Sequence, residues 1–203
     1  MKLDHVSLDH RVILGMIEPD AKVLDLGCGN GDLLFLLAKE KNALVQGIEL
    51  DEQAIYKCVE KGLSVFHSDI DSGLSEYPDK SFDYVILNQS LQQVKKAEFV
   101  LREALRVGKK VIVGFPNFAN IKARGMLFFR GKAPISKSLP FHWYDSPNVR
   151  FLSISDFKEY CLRKKIKMIN TYYLGKKRSV HFWPNLFALN AIFVIVNGGV
   201  GEV

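Results

Sequence analysis

VLDLGCGNGDLLFLLAKE, residues 23–40, places glycines at 27, 29 and 31 directly after an apolar run that contains Asp25 and directly before a leucine-rich run. Such a stretch reads as strand, open loop and helix. Glycines let the chain turn tightly and bring backbone amides close to a ligand at the helix N-terminus, where a side chain would block the approach. A dinucleotide fingerprint needs G-x-G-x-x-G, but here the spacing is G-x-G-x-G and position 32 is aspartate. No Gly-Lys-Ser/Thr follows, so the loop is not a P-loop.

The bulk composition sets the limits within which that loop works. A chain of 203 residues, 48% hydrophobic and 25% charged, has material for one well-buried core, and we expect one domain over residues 1–203. Cys28, Cys58 and Cys161 are odd in number and form no C-x-x-C pair, which argues against a disulfide framework or a thiolate zinc site. His5, His10, His67 and His181 are scattered without ligand spacing, so no metal is expected. The most apolar late segment, 186–196, is interrupted by Asn190 and is too short to cross a bilayer. The expected location is the cytoplasm, with no membrane partner. Charge is uneven: residues 1–94 hold 8 Lys/Arg against 16 Asp/Glu, net −8, and residues 95–203 hold 20 against 6, net +14. A basic half suits an anionic substrate, an acidic protein surface or simply solvated faces. No zinc-finger or RNA-recognition motif accompanies it, and nucleic acid is a minor option.

Strand candidates recur at 23–26, 44–50, 65–68, 82–88 and 110–115, as short apolar runs of the parallel type. Between the fourth and fifth, Ala97, Val100, Leu101, Ala104 and Leu105 keep helical spacing, with Gly108 at the C-cap position. Further helices fit 6–17, 32–40 and 52–61. Right-handed crossovers then give a doubly wound α/β sheet between two helical layers. Residues 116–150 carry prolines and no sustained period, and read as an irregular insertion over the carboxyl edge of the sheet, with a short helix near 121–129. Ser155 is placed to cap a helix through Leu162, and strands at 166–173 and 189–196 complete seven.

Asp25-Leu-Gly27-Cys28-Gly29-Asn-Gly31 resembles the E/D-x-G-x-G-x-G loop of class I S-adenosylmethionine (SAM) methyltransferases. The resemblance implies a Rossmann-like three-layer α/β/α sandwich with a seven-stranded, mostly parallel sheet, and SAM as cofactor. Glu49, 18 residues after Gly31, ends the second strand with Leu50 beside it, where an acid accepts ribose hydroxyls. Asp69 and Ile70 follow the third strand, where the family meets adenine; Asn88 and Gln89 follow the fourth, where it meets the methionine end. The N-P-P-Y type sequence of amide and adenine amino methylation is absent, since Asn88-Gln89-Ser90-Leu91 stands there.

VGFPNF (113–118), LPFHWYDSPN (139–148) and SISDF (153–157) narrow the resemblance to the MetW family of methionine-biosynthesis proteins. That resemblance implies a SAM-binding methyltransferase-like protein acting with homoserine O-acetyltransferase. A non-catalytic SAM-sensing partner of that enzyme and a free-standing small-molecule methyltransferase are the alternatives. Methyl transfer needs positioning, plus a base when the nucleophile starts protonated. His142, Tyr144 and Asp145 are the candidate catalytic residues, with Trp143 either walling the pocket or filling core.

Overall fold

The computed structural model describes residues 6–136 and 138–198. One seven-stranded sheet runs through it in the order β3-β2-β1-β4-β5-β7-β6. The strands are β1 (Lys22–Leu26), β2 (Leu44–Glu49), β3 (Val65–His67), β4 (Phe82–Asn88), β5 (Gly108–Pro116), β6 (Lys167–Leu174) and β7 (Asn190–Val196). Pairings among β1 to β5 are parallel, and β7 runs antiparallel to both β5 and β6. The sheet is therefore mostly parallel. Its strand order reverses beside β1, which opens a crevice at the carboxyl ends of β1 and β4.

Both faces of the sheet are covered, which explains the unbroken apolar runs. Val23, Ile86 and Ile112 pack with Ile13 and Ile17, from α1 (Leu8–Met16) and its end, and with Leu33 and Leu37 of α2 (Asp32–Lys41). Leu24, Leu87 and Val113 face the opposite way, against Leu101 and Ala104 of α4 (Ala97–Val107) and Phe157 of α6 (Ile154–Arg163). Between these helices in the chain, α3 (Glu52–Glu60) starts at Asp51, whose carboxylate accepts from the amides of Gln53 and Ala54. α3 packs Cys58 against Cys28 and Leu34.

One local expectation needs correction. The cap of α6 is Ser153, not Ser155: the helix starts at Ile154, which puts Ser155 inside its first turn, and Ser153 and Asp156 form a reciprocal capping box. Gly108 is the C-cap of α4, as its position suggested, and its N–H donates to the Ala104 carbonyl. It opens β5 in extended conformation, and a Cβ there would lie 2.8 Å from Val85 Cγ2. The segment after Pro116 holds α5 (Ile121–Arg130), and a short α7 (Pro184–Phe187) interrupts the connection from β6 to β7.

Candidate functional site

The glycine loop projects from β1 with Gly27, Gly29 and Gly31 all at positive φ. Two of these glycines answer to packing: a Cβ at Gly27 would lie 2.8 Å from Ser90 Cβ, and one at Gly31 would lie 2.5 Å from Leu63 Cδ1. Gly29 faces open space, with nothing within 4 Å of a built Cβ. The loop amides, however, are not offered to a ligand as the sequence suggested. Gly27 and Cys28 N–H donate to the Ile48 carbonyl, and Gly29 N–H donates to Glu49 Oε2 at 2.7 Å. The neighbouring strand end takes these donors because β1 and β2 leave the sheet side by side.

Glu49 is thus an anchor as well as a lining residue. Its other oxygen accepts from the amides of Leu50 and Asp51 at 2.8 and 3.0 Å. A carboxylate offers about four acceptor positions, so room is left for another donor. Lys61 Nζ fixes the far side of the loop through the Asn30 carbonyl, 2.6 Å, and Asp32, 2.5 Å.

Above Gly27 and Gly29 lies a cavity of about 360 Å³. Among the described residues its acids are Glu49, Asp69 and Asp71, its one cation is Lys95, and Ile48, Leu50 and Ile70 supply apolar wall. Asp69 shapes the end of β3 by accepting from the Asp71 amide. Asp71 in turn accepts from the amides of Lys95 and Lys96 at 2.8 and 2.7 Å, which closes the cavity against the segment after β4. Gln89 sits at φ +62, sparsely populated for a residue with a side chain, and lines the cavity beside Ser90.

A second, smaller cavity of about 80 Å³ shares Gly27 and is bounded by His10, Asp25, Cys28 and Asn88. Asn88 donates to Asp9 Oδ2 at 2.9 Å, so α1 forms part of this end of the site. Gly114 makes space for it: a Cβ there would stand 2.2 Å from Asn88 Oδ1. Asp25 is 3% exposed and its Oδ1 has no hydrogen-bond partner among the described residues. Burial, and then the charge of Glu49, push its carboxyl up to about 7. Burial and the charge of Asp25 push the Cys28 thiol far up as well, which makes it a poor nucleophile.

The structure therefore gathers Asp25, Gly27, Cys28, Gly29, Glu49, Leu50, Asp69, Ile70 and Asn88 around two adjoining cavities. Gly31 shapes the loop from beneath. His142, Tyr144 and Asp145 are exposed and line neither cavity; His142 and Tyr144 stack on each other at 5.2 Å. Trp143, 82% exposed, neither walls the pocket nor fills core. Sequence reasoning missed Asp71, Ser90, His10 and Asp9, which no local motif marks because their roles arise from distant segments meeting. Among the described residues no group of acids, histidines or cysteines is arranged to hold a metal, and no helix is long and apolar enough to cross a membrane.

Solved structures share this architecture. A possible histamine N-methyltransferase from Thermotoga maritima superposes with a TM-score of 0.66 at 16% identity, covering 94% of this chain and 88% of that one. A SAM-dependent methyltransferase from Archaeoglobus fulgidus gives 0.68 at 17% identity, covering 92% and 90%. The protein has the Rossmann-like fold of class I SAM-dependent methyltransferases. Within that class, a family model described as methionine biosynthesis protein MetW matches residues 7–195, and the chain belongs to the MetW family. The bifunctional methionine biosynthesis protein MetXA/MetW of Rhodopirellula baltica is 34% identical over 163 residues, covering 76% of this chain and 26% of that protein. The 27-O-demethylrifamycin SV methyltransferase of Amycolatopsis mediterranei is 30% identical over 95 residues, covering 42% of this chain and 34% of that one. The chain thus spans about a quarter to a third of the length of these curated relatives.

Proposed function

We propose that this chain binds SAM across the two cavities and works in methionine biosynthesis beside homoserine O-acetyltransferase. The observation that carries the cofactor is the charge of the site. Glu49, Asp69 and Asp71 outnumber Lys95 in the larger cavity, and the unpartnered Asp25 oxygen borders the smaller one. A dinucleotide would bring a pyrophosphate into that field. SAM instead carries a sulfonium and an ammonium, and an uncapped buried acceptor suits a cation. Glu49 would take a ribose hydroxyl, Asp69 and Ile70 the adenine, and Asp25 with Asn88 the methionine end; when bound, SAM supplies an activated methyl group. The acetyltransferase enters from the fused MetXA/MetW relative and from the family resemblance.

A second reading, a SAM-sensing partner without methyl transfer, is favoured by one observation: His142, Tyr144 and Asp145 line neither cavity, so none of the three candidate bases stands at the cofactor. Calorimetry with SAM tests the binding, with NAD as the competitor that would refute the charge argument by binding more tightly. A product assay for S-adenosylhomocysteine, run with and without the acetyltransferase, separates the readings. Turnover in isolation supports the free-standing enzyme. Binding without turnover, together with altered acetyltransferase rate, supports the sensor.

A further inference from the structure

A cavity of about 620 Å³ lies between α4 and α6 and shares no lining residue with the two cavities at the glycine loop. Among the described residues its cations are Lys96, Arg102 and Arg150, and its one acid is Glu98. The cations come from three segments: Lys96 from the stretch after β4, Arg102 from α4 and Arg150 from the insertion. Glu98 does not balance them, because it pairs with Lys164 at 2.6 Å. Among the described residues none of Lys96, Arg102 and Arg150 is in a salt bridge.

An adjoining cavity of about 450 Å³ shares Glu98, Arg102 and Tyr160 and supplies the contrast. Its own cations are spent on the fold: Arg106 pairs with Asp79 and Glu103, both at 2.8 Å, Lys164 pairs with Glu98, and Lys80 donates to the carbonyls of Leu105 and Gly108. Uncompensated positive charge is therefore concentrated in the first cavity.

Its donors are also held in place. The Arg102 guanidinium lies over the Phe99 ring, 5.4 Å from the centroid. Arg150 donates to the carbonyls of Val94 and Lys95, which leaves three of its five N–H groups for a ligand. Lys96 has its backbone amide on Asp71 and is the N-cap of α4 without a side-chain cap, so the helix start adds charge of the same sign. Burial, and then the charge of Glu98, push the Tyr160 phenol up to about 12, which keeps its hydroxyl a donor. A set of donors on three sides asks for a ligand made of acceptors. A carboxylate has two oxygens, whereas a phosphate ester brings three and nearly two negative charges at neutral pH. Bare phosphate would leave most of the 620 Å³ unfilled, a volume in the range of small-molecule sites.

We propose that the cavity of Lys96, Arg102 and Arg150 binds a small soluble phosphate monoester, as a second ligand site back to back with the cofactor cavity. Val94 and Lys95 line the cofactor side of the partition between them, and Lys96 lines the other.

The test titrates glycerol 3-phosphate into the full chain by calorimetry, in chloride buffer of fixed ionic strength, with and without excess SAM. One saturable site is expected, unchanged by SAM. Arg102→Gln and Lys96→Gln should each weaken it about tenfold or more, with circular dichroism and SAM affinity as in wild type. Lys176→Gln with Lys177→Gln, elsewhere in the basic half, should leave it intact. Absence of saturable binding at millimolar ester, or equal affinity in wild type and both cavity variants, would overturn the site. Displacement by SAM would put the ester in the cofactor cavity and overturn it too. Equal affinity for malonate, which carries two carboxylates, would overturn the assignment to phosphate. Tighter binding to phosphatidic acid vesicles, lost in the same two variants, would give the cavity to a lipid headgroup instead of a soluble ester.

Discussion

If an ammonium seats beside Asp25, SAM binding must expel a proton from the protein at acid pH. Free of ligand, the carboxyl is held at about 7 rather than 3.8 by burial and by the charge of Glu49. A cation against it favours the ionised form and returns the bound-state value toward the ordinary range. Below pH 7 the apo carboxyl is protonated, so affinity should fall by about tenfold per unit, and at pH 5 should be roughly a hundredfold weaker than at pH 8. Calorimetry in buffers of different ionisation heat should find about half a proton released per SAM near pH 7. Asp25→Asn should flatten the profile, and Glu49→Gln should move its midpoint to lower pH. Stability moves the same carboxyl in the opposite sense. Between 3.8 and about 7 the folded chain keeps a proton that the unfolded chain has released, so stability falls as pH rises. Asp25→Asn should recover up to about 4 kcal/mol at pH 8 and little at pH 4, read as a Tm difference that grows with pH. Affinity that is level from pH 5 to 8, with no buffer dependence of the heat, would refute the placement of a cation at Asp25.

Gly29→Val should abolish SAM binding while the far-ultraviolet spectrum persists, whereas Gly31→Ala should lower stability by about 1–3 kcal/mol, because its Cβ has no space; equal effects at the two sites would contradict the division of labour in the loop. Glu49→Ala removes an acceptor for three amides, and SAM should bind about 1.5–3 kcal/mol more weakly by calorimetry. Alanine at Trp143, Tyr144 and Asp145 together should leave folding and SAM affinity close to wild type and remove whichever output the protein has; an unfolded variant would show that these exposed groups are structural after all. Arg150 donates to the carbonyls of Val94 and Lys95, which line the larger cavity, so Arg150→Ala should uncouple it from the insertion. If SAM and a partner are coupled through this contact, titrations of wild type should show each changing the other's affinity by the same factor, and in the variant that factor should fall to about one.

Strand and helix identities were legible because each is written locally: period-two and continuous apolar runs for β1 to β5, and helical spacing for α4. The glycine triplet fixed where the ligand side of the sheet lies, since alternate residues without Cβ after a strand have few other uses. Even the family could be read from VGFPNF, LPFHWYDSPN and SISDF. Geometry that depends on distant segments was not written there. That Glu49 spends its carboxylate on the amides of its own loop follows from β1 and β2 ending side by side. The burial of Asp25 requires α1, the loop and β4 to close around it, and that burial, with the charge of Glu49 beside it, raises the carboxyl to about 7. His142, Tyr144 and Asp145 have the chemistry of a base in any sequence reading. Only the path of the chain from Pro116 to Ile154 determines that they face outward, because a side chain's neighbours are set by packing across the fold and not by its own type.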